Sequence, residues 1–95
     1  MHVITRKRLD DFARTHPEAR TSLQHWFTIV RKTIYASFAD LRKTFPSANQ
    51  VNRLTVFNIG GNKFRLIAAI HYNRKKLYIR HILTHADYDR NTWRT

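Results

Sequence analysis

The chain has 95 residues, of which none is cysteine, two are glycine, two are proline and only six are acidic. The absence of cysteine excludes disulfide frameworks, thiol nucleophiles and zinc sites built on thiolates, and it is typical of cytoplasmic proteins. No apolar run approaches the roughly 20 residues that a bilayer span requires, and Arg6, Lys7 and Arg8 stand where a signal peptide would be hydrophobic. We therefore expect a soluble cytoplasmic protein that does not bind a membrane.

Positive charge dominates the chain. The 18 Lys and Arg residues outnumber the acids and give a net charge of +12. All six acids lie before Leu41 or after Ala86, whereas nine Lys and Arg residues lie between these positions. A concentrated positive charge on a small domain is typical of proteins that bind polyanions. The sequence therefore predicts RNA or DNA as a partner.

The first half of the chain has helical periodicity. The hydrophobic content of 42 % predicts one packed domain over residues 1–95. Thr5 is a candidate N-cap for a helix over 6–15, and Pro17 suits the first turn of a second helix. That second helix carries one apolar stripe, formed by Leu23, Trp26, Phe27, Val30 and Ile34.

The second half has the pattern of strands. A third helix over 38–45 ends before Pro46, and a loop is predicted over 47–50. Gly60 and Gly61 predict a hairpin between two runs rich in β-branched and aromatic residues. The predicted strands cover 54–59, 62–72 and 77–83, with a second turn over 73–76 and a short terminal helix over 87–93. The fold class is therefore α+β, with N-terminal helices packed on a small antiparallel meander and the N-terminal segment as a candidate added strand.

The alternation of side chains along the last two strands predicts two different faces. Pairing Tyr72 with Leu77 would place Ala69 opposite Arg80 and Arg65 opposite Thr84. The face towards the helices would carry Phe64, Leu66, Ala68, Ile70, Tyr72, Leu77, Ile79 and Leu83. The other would carry Lys63, Arg65, Ile67, His71, Tyr78, Arg80, Ile82 and Thr84. Cations and aromatic rings on one open face suit a phosphate backbone with an unstacked base.

Three histidines could suggest a metal site, but the predicted register argues against one. It places His71 and His81 on opposite faces, no cysteine is available, and a divalent ion would have to bind among many cations. His81 is therefore interpreted as a histidine at the edge of the core. His85 ends the last strand, where functional side chains are common, and is interpreted as functional.

Four ordered blocks of this sequence together resemble the HigB family of RelE-like toxins, and the match extends over nearly the whole chain. The blocks span residues 1–5, 45–47, 56–66 and 78–89, and they include Phe45-Pro46-Ser47 and Thr84-His85-Ala86-Asp87-Tyr88-Asp89. The resemblance implies the compact RelE-like fold, in which helices flank a small sheet. It also implies the toxin of a bacterial type II toxin–antitoxin pair, an mRNA interferase that enters the ribosomal A site and cleaves the message there. The implied partners are a cognate antitoxin, the ribosome and mRNA.

The resemblance carries over to particular positions. Arg65 matches the basic residue of the central strand, Arg80 that of the next strand, and the block from Thr84 to Asp89 the end of the catalytic surface. Better-known RelE toxins place lysines on the preceding strand, where this chain has Val56, Phe57 and Asn58. Proton transfer is therefore assigned to His85, because imidazole titrates near neutrality.

The remaining roles follow from the chemistry of RNA cleavage without a metal ion or other cofactor. Arg65 and Arg80 keep their protons and would stabilise charge on the phosphate. Tyr88 would stack on a base or orient the substrate, with proton transfer as the less favoured alternative. Lys63 would hold a flanking phosphate. The residues predicted to contact RNA are Lys63, His71, Arg74, Lys75 and Lys76, the last three forming either a solvated hairpin tip or a loose phosphate contact.

Two other functions fit part of the sequence. A non-catalytic RNA-binding or ribosome-associated module would need the same charge and aromatic residues, but it would not need His85. A DNA-binding regulator is disfavoured because the basic surface lies on strands and no helix-turn-helix carries a basic recognition helix. Growth arrest on expression and an adjacent antitoxin reading frame distinguish the toxin from both.

Overall fold

The computed structural model describes residues 1–90 and Trp93, and it contains four helices and a five-stranded sheet in this part of the chain. The helices are α1 (Lys7–Thr15), α2 (Arg20–Lys32), α3 (Phe38–Thr44) and α4 (His85–Asp89). The strands are β1 (His2–Ile4), β2 (Asn49–Val51), β3 (Leu54–Ile59), β4 (Phe64–His71) and β5 (Lys76–Thr84). The predicted α+β class is confirmed. No helix among these residues has the length and apolar character needed to cross a membrane.

The sheet has the strand order β1-β5-β4-β3-β2, and it is mixed rather than purely antiparallel. The N-terminal segment is indeed an added strand, because β1 pairs in parallel with β5. The loop predicted over 47–50 is wrong in its second half, since β2 pairs with β3 from Asn49 onward. Asn49 and Gln50 join the edge of the sheet through backbone hydrogen bonds, which do not require an apolar side chain.

The helices form close to where the sequence predicts them, but two details differ. Thr5 does not cap α1, because its hydroxyl bonds to the backbone of Ile79 and Arg6 is the N-cap residue. α2 ends at Lys32, so Ile34, predicted for its apolar stripe, lies beyond the helix and is exposed.

The other differences concern the ends of the helices. Pro17 begins a short 3-10 helix over Pro17–Ala19, which leads into α2. Ser37 caps α3, because its hydroxyl oxygen accepts a hydrogen bond from the N–H of Asp40 at 3.2 Å. The terminal helix begins two residues earlier than predicted, at His85, and ends at Asp89. Residues 91 and 92 of the predicted helix lie outside the described part of the chain.

Two hydrophobic clusters lie on opposite faces of the sheet. The larger cluster joins α1, α2 and α3 to one face and includes Leu9, Leu23, Trp26, Leu41, Phe57, Leu66 and Leu77. The smaller cluster covers part of the other face and contains Val56, Ile67 and Trp93, with Val51, Leu54, Leu83 and Tyr88 packed against it. The face without the three long helices is therefore partly covered by α4 and Trp93.

A bulge in β5 makes the predicted register wrong. Ile67 pairs with His81 whereas the next residue, Ala68, pairs with Ile79, so Arg80 has no partner on β4. Between the turn that joins β4 to β5 and the bulge, the observed pairing differs from the predicted pairing by two residues, so the side chains lie on their predicted faces. From His81 to Thr84 the difference is one residue, so these side chains of β5 lie on the opposite face from the predicted one. Arg65 thus lies opposite Leu83, not Thr84, and Ala69 lies opposite Tyr78, not Arg80.

The exchange of faces moves four predicted side chains. Thr84, predicted for the Arg65 face, pairs with Phe64 instead. Leu83, predicted to lie in the main core, packs in the smaller cluster on the Arg65 face. Ile82, predicted for the Arg65 face, packs against the main core. His81 pairs with Ile67 and therefore shares a face with His71, so the predicted placement of these two imidazoles on opposite faces is wrong.

The hairpin between β3 and β4 is longer than a two-residue turn, because Ile59 pairs with Phe64 and residues 60–63 form the connection. Gly60 and Gly61 have φ of 62° and 69°, in the left-handed region that favours glycine. The second hairpin closes where His71 pairs with Lys76, and Lys75 adopts φ of 58°. These two turns lie at opposite ends of the β4–β5 pair.

Candidate active site

Arg65 lies almost completely buried on the face opposite the long helices, with 8 % of its surface exposed. Its Nη2 donates to Asn62 Oδ1 at 2.7 Å, and its Nη1 donates to the carbonyl oxygens of Phe64 at 3.1 Å and Asn62 at 3.3 Å. Its guanidinium lies 5.4 Å from the centre of the Tyr88 ring. The hairpin turn and α4 therefore hold this cation from two sides.

The charge of Arg65 is not neutralised by a carboxylate among residues 1–90 and 93. The ion pairs of these residues involve Asp11, Asp87 and Asp89, and their cationic partners are other side chains. A buried charge is normally paired, because its removal from water is costly. The arrangement around Arg65 therefore suits an anion supplied from outside the chain.

The helix α4 begins at the point where β5 ends, and two hydrogen bonds fix this junction. Thr84 caps the helix, since its hydroxyl oxygen accepts from the N–H of Asp87 at 3.2 Å. The N–H of His85 donates to the carbonyl oxygen of Lys63 at 3.0 Å. The backbone of His85 is thus tied to the turn that precedes Arg65, and the exposed Lys63 lies at the same end of the sheet.

The side chain of His85 is oriented by Asp89, one helical turn later. His85 Nδ1 lies 2.9 Å from Asp89 Oδ2, and the imidazole side chain remains 45 % exposed. A hydrogen bond from Nδ1–H to the carboxylate would leave Nε2 of a neutral imidazole as a proton acceptor. The pair therefore provides an oriented, accessible proton-transfer group.

Tyr88 connects Arg65 to the smaller cluster. Its ring stacks on Trp93 with centroids 5.1 Å apart and an angle of 14° between the planes. Trp93 Nε1 donates to the carbonyl oxygen of Tyr88 at 3.0 Å. The Tyr88 ring is thus already stacked on Trp93, so stacking of this ring on an RNA base would compete with that contact.

Arg80 lies apart from Arg65, because it occupies the bulge and not a paired position. It lines a pocket of about 290 Å³ together with Arg8, Ala69, His71 and Tyr78. The His71 and Tyr78 rings meet edge to face with centroids 5.3 Å apart. Arg80 and His71 therefore form a second cationic and aromatic site, which is separated from Arg65 by roughly 10 Å along the strand.

The pKa of His81, beside the bulge, is lowered. Burial is the main cause, and the positive charges of Arg8 and Arg80 add to it. The lowered pKa of His81 favours the neutral imidazole beside these two cations.

Arg74, Lys75 and Lys76 lie at the other end of the β4–β5 hairpin from His85. Given the rise of a strand, the eight residues of β4 separate the two ends by roughly 25 Å. Lys76 is half-buried, and the other two are exposed. These cations are not brought together with Arg65 and His85.

The structure adds Asn62, Asp89, Trp93 and Arg8 to the residues that the sequence indicates. Asp89 could have been found, since positions four apart on a helix are neighbours and the sequence predicts a helix here. Asn62 and Arg8 gave no such signal, because their contacts depend on the turn conformation and on the packing of α1. Asn58 pairs with Arg65 and is exposed, so an amide stands on β3 beside the buried cation.

No three His, Cys, Asp or Glu side chains come together as metal ligands in the part of the chain that the structure describes. Cleavage without a metal ion stays a prediction. The groups that the geometry does bring together are an oriented imidazole, a buried guanidinium and an exposed lysine at one corner of a sheet.

Comparison with known proteins shows similarity to HigB toxins over most of the chain. The mRNA interferase toxin HigB of Escherichia coli strain K12 is 36 % identical over 92 residues, which cover 94 % of this chain and 88 % of that protein. The mRNA interferase HigB of Escherichia coli O6:H1 strain CFT073 is 30 % identical over 95 residues, covering 97 % and 92 %. A family model described as the RelE-like toxic component of a toxin–antitoxin system matches residues 19–91. The chain therefore belongs to the HigB toxin family.

Proposed function

We propose that this protein is a ribosome-dependent mRNA endoribonuclease that inhibits translation in the cytoplasm, and that its active site is the corner formed by Lys63, Arg65, His85 and Tyr88. The observation that carries the proposal is the buried, unneutralised guanidinium of Arg65, which lies against Tyr88 of the same short helix in which Asp89 holds the His85 imidazole. Curated relatives named mRNA interferases support the activity. As a member of a toxin family, the protein has a cognate antitoxin as its implied partner.

The chemistry is an attack of the RNA 2′-oxygen on the adjacent phosphorus. The 2′-hydroxyl loses its proton, the new bond from its oxygen to phosphorus forms, the bond to the 5′-oxygen breaks, and that oxygen takes up a proton. His85 Nε2 transfers one of these protons, with Asp89 holding Nδ1. The product of this step is a 2′,3′-cyclic phosphate and a free 5′-hydroxyl, and no metal ion is required for the balance.

Arg65 stabilises the charge that develops on the phosphate. Three of its hydrogen bonds go to Asn62 and Phe64. A guanidinium has five N–H donors, so two have no partner among the described residues and are available to phosphate oxygens. Because Asn62 and Tyr88 fix the group before substrate binds, little reorganisation accompanies the reaction.

The remaining cations give the RNA a path along the sheet. Lys63 holds a phosphate next to the scissile one, and the pocket of Arg80 and His71 accepts a nucleotide further along. Arg80 thereby acts in binding at a distance from the reacting phosphate. Arg74, Lys75 and Lys76 add loose phosphate contacts at the far end.

The proposal is tested by comparing His85→Ala and Arg65→Lys with His25→Ala, which removes an exposed imidazole from α2. Loss of a proton-transfer group costs about 100- to 10,000-fold in rate, so His85→Ala should abolish growth arrest and cleavage of ribosome-bound mRNA. Arg65→Lys keeps the charge but loses the planar fork, and it should reduce cleavage far more than RNA affinity. His25→Ala should behave as wild type.

Two results would contradict the proposal. A folded His85→Ala variant that still cleaves removes His85 from the reaction, and wild-type protein that binds ribosomes without cutting the message is a non-catalytic RNA-binding module. Toxin stripped of metals should remain active on ribosomes, and a requirement for added zinc or manganese would contradict the metal-independent mechanism.

A further inference from the structure

A groove between α1 and α2 carries three arginines that the proposed RNA site does not use. Its volume is about 370 Å³, and Arg6, Arg20 and Arg31 line it with a single acid, Asp10. The two helices pack on the opposite face of the sheet from Arg65 and Tyr88. The groove is therefore a second cationic surface on another side of the molecule.

Two of these arginines converge on one aromatic ring. The guanidinium of Arg6 lies 4.5 Å from the centre of the Phe27 ring, and that of Arg31 lies 5.8 Å from the same centre. Neither has an ion pair with a carboxylate within residues 1–90 and 93. Phe27 thus holds two like charges close together, which is favourable when a bound anion neutralises both.

The floor of the groove disfavours RNA as its occupant. Phe27 is the only aromatic residue among those lining the groove in the described chain, and the two guanidinium groups already lie against it. A base therefore has no open ring on which to stack, whereas single-stranded RNA binding relies on such stacking. Leu9 and Leu23 also line the groove, but they are almost completely buried and add no polar contact for a phosphate.

We propose that this groove binds an acidic segment of the cognate antitoxin, whose carboxylates bond to Arg6 and Arg31. The planar fork of arginine matches a carboxylate through two parallel hydrogen bonds. The cation–π contacts with Phe27 order the two side chains in advance, so less conformational entropy is lost on binding. The inference rests on the antitoxin that the toxin family implies, and it does not depend on the catalytic roles proposed above.

The test compares two double variants that lower the net charge equally. Arg6→Glu with Arg31→Glu changes the groove, whereas Lys7→Glu with Lys32→Glu changes the neighbouring positions outside it. The probe is the purified product of the adjacent antitoxin reading frame, titrated by calorimetry at fixed salt. The groove variant should lose about tenfold or more in affinity, because reversed charges repel the carboxylates, and the control should lose far less.

Cleavage of ribosome-bound mRNA is measured on the same proteins. The groove variant should still cut the message, and the antitoxin should no longer neutralise it at concentrations that neutralise the control. Thermal unfolding verifies that each variant folds. If the Arg6→Glu with Arg31→Glu variant does not fold, the neutral pair Arg6→Gln with Arg31→Gln takes its place in the comparison.

Three outcomes would overturn the inference. Equal loss of antitoxin affinity in both double variants would mean that only overall charge matters. Unchanged affinity in the groove variant would exclude the groove, and a loss of ribosome binding with unchanged antitoxin binding would assign it to RNA. Wild-type protein without cleavage activity would contradict the proposed nuclease but leave the antitoxin result interpretable.

Discussion

The three histidines of the last two strands and the following helix differ in the groups that surround them. His85 Nδ1 meets a carboxylate, Asp89, whereas His71 meets the edge of the Tyr78 ring. His81 lies half-buried near two arginines, one from α1 and one from the bulge of β5. The same side chain therefore lies beside a carboxylate at the proposed proton-transfer position, beside a ring, or near two cations that lower its pKa.

Stability should fall in mild acid because of His81. Burial together with Arg8 and Arg80 lowers its pKa in the folded protein from the ordinary 6.5, so the unfolded chain takes up a proton first. Folding stability is therefore fully present above pH 6.5 and decreases as the pH falls from there towards the lower folded pKa. Unfolding curves between neutral and mildly acidic pH should show this decrease, and His81→Gln should reduce it.

The exposed His25 provides the control for this measurement. His25→Gln should leave the wild-type pH dependence in place, because it removes an exposed imidazole from α2 and leaves His81, Arg8 and Arg80 unchanged. An identical acid response in wild type and His81→Gln would show that His81 is not the cause.

At the scale of elements, the bulge in β5 limits what the sequence could predict. The helices, the hairpins and the inner face of β4 follow from periodicity and turn residues. The bulge does not, because Ile82 and Leu83 are both apolar and either of them can continue the alternation from Ile79. The one sign of it was His81, a polar residue that an unbroken alternation places in the core.

The candidate site divides in the same way. The sequence predicts Arg65 from its charge on the central strand, and it predicts His85 from its position at the end of the last strand. Their partners could not all be predicted. Asn62 meets Arg65 only through the conformation of the 60–63 turn, which the sequence does not specify.

The N-cap of α4 should matter for activity as well as stability. Thr84→Ala removes the oxygen that accepts from Asp87 N–H, which should cost about 1 kcal/mol and loosen the helix that carries His85 and Asp89. Ser37→Ala removes the corresponding cap of α3 at a similar cost, but far from the site. Denaturant unfolding should give similar losses for both variants, whereas cleavage of ribosome-bound mRNA should fall only for Thr84→Ala.

Two results would contradict this role of the cap. Equal activity of the two variants would show that α4 keeps His85 in place without Thr84. An equal loss of activity would show that the effect arises from reduced stability alone.

The whole molecule presents positive charge on two sides, with the sheet face around Arg65 and the α1–α2 groove separated by the hydrophobic core. The two surfaces differ in what accompanies the charge. On the sheet face, exposed Lys63 and the His71–Tyr78 ring pair suit a nucleic acid. In the groove, two arginine guanidinium groups already lie over the Phe27 ring. A net charge of +12 accelerates the approach of any polyanion, and local geometry determines which surface holds it.

Binding to ribosomes and to the antitoxin should both weaken as salt rises, and ribosome binding should weaken more steeply. RNA binding releases counterions condensed on the phosphates, whereas the contacts with an acidic protein segment are only screened. Affinity for each partner measured across a series of salt concentrations gives the two slopes. Ribosome binding that does not depend on salt would contradict the proposed phosphate contacts.

The parallel pairing of β1 with β5 has a consequence for when the protein can fold. His2 pairs with Lys76 and Ile4 pairs with Tyr78, so the first strand of the chain has no partner until the last strand has been made. Contacts between such distant segments form late, because a long loop must close before they contribute. A nascent chain that ends before β5 contains the residues of α1 to α3 but cannot complete the sheet, and it lacks the junction that joins Lys63 to His85. The proposed cleavage site can therefore form only after β5 and α4 have been synthesised.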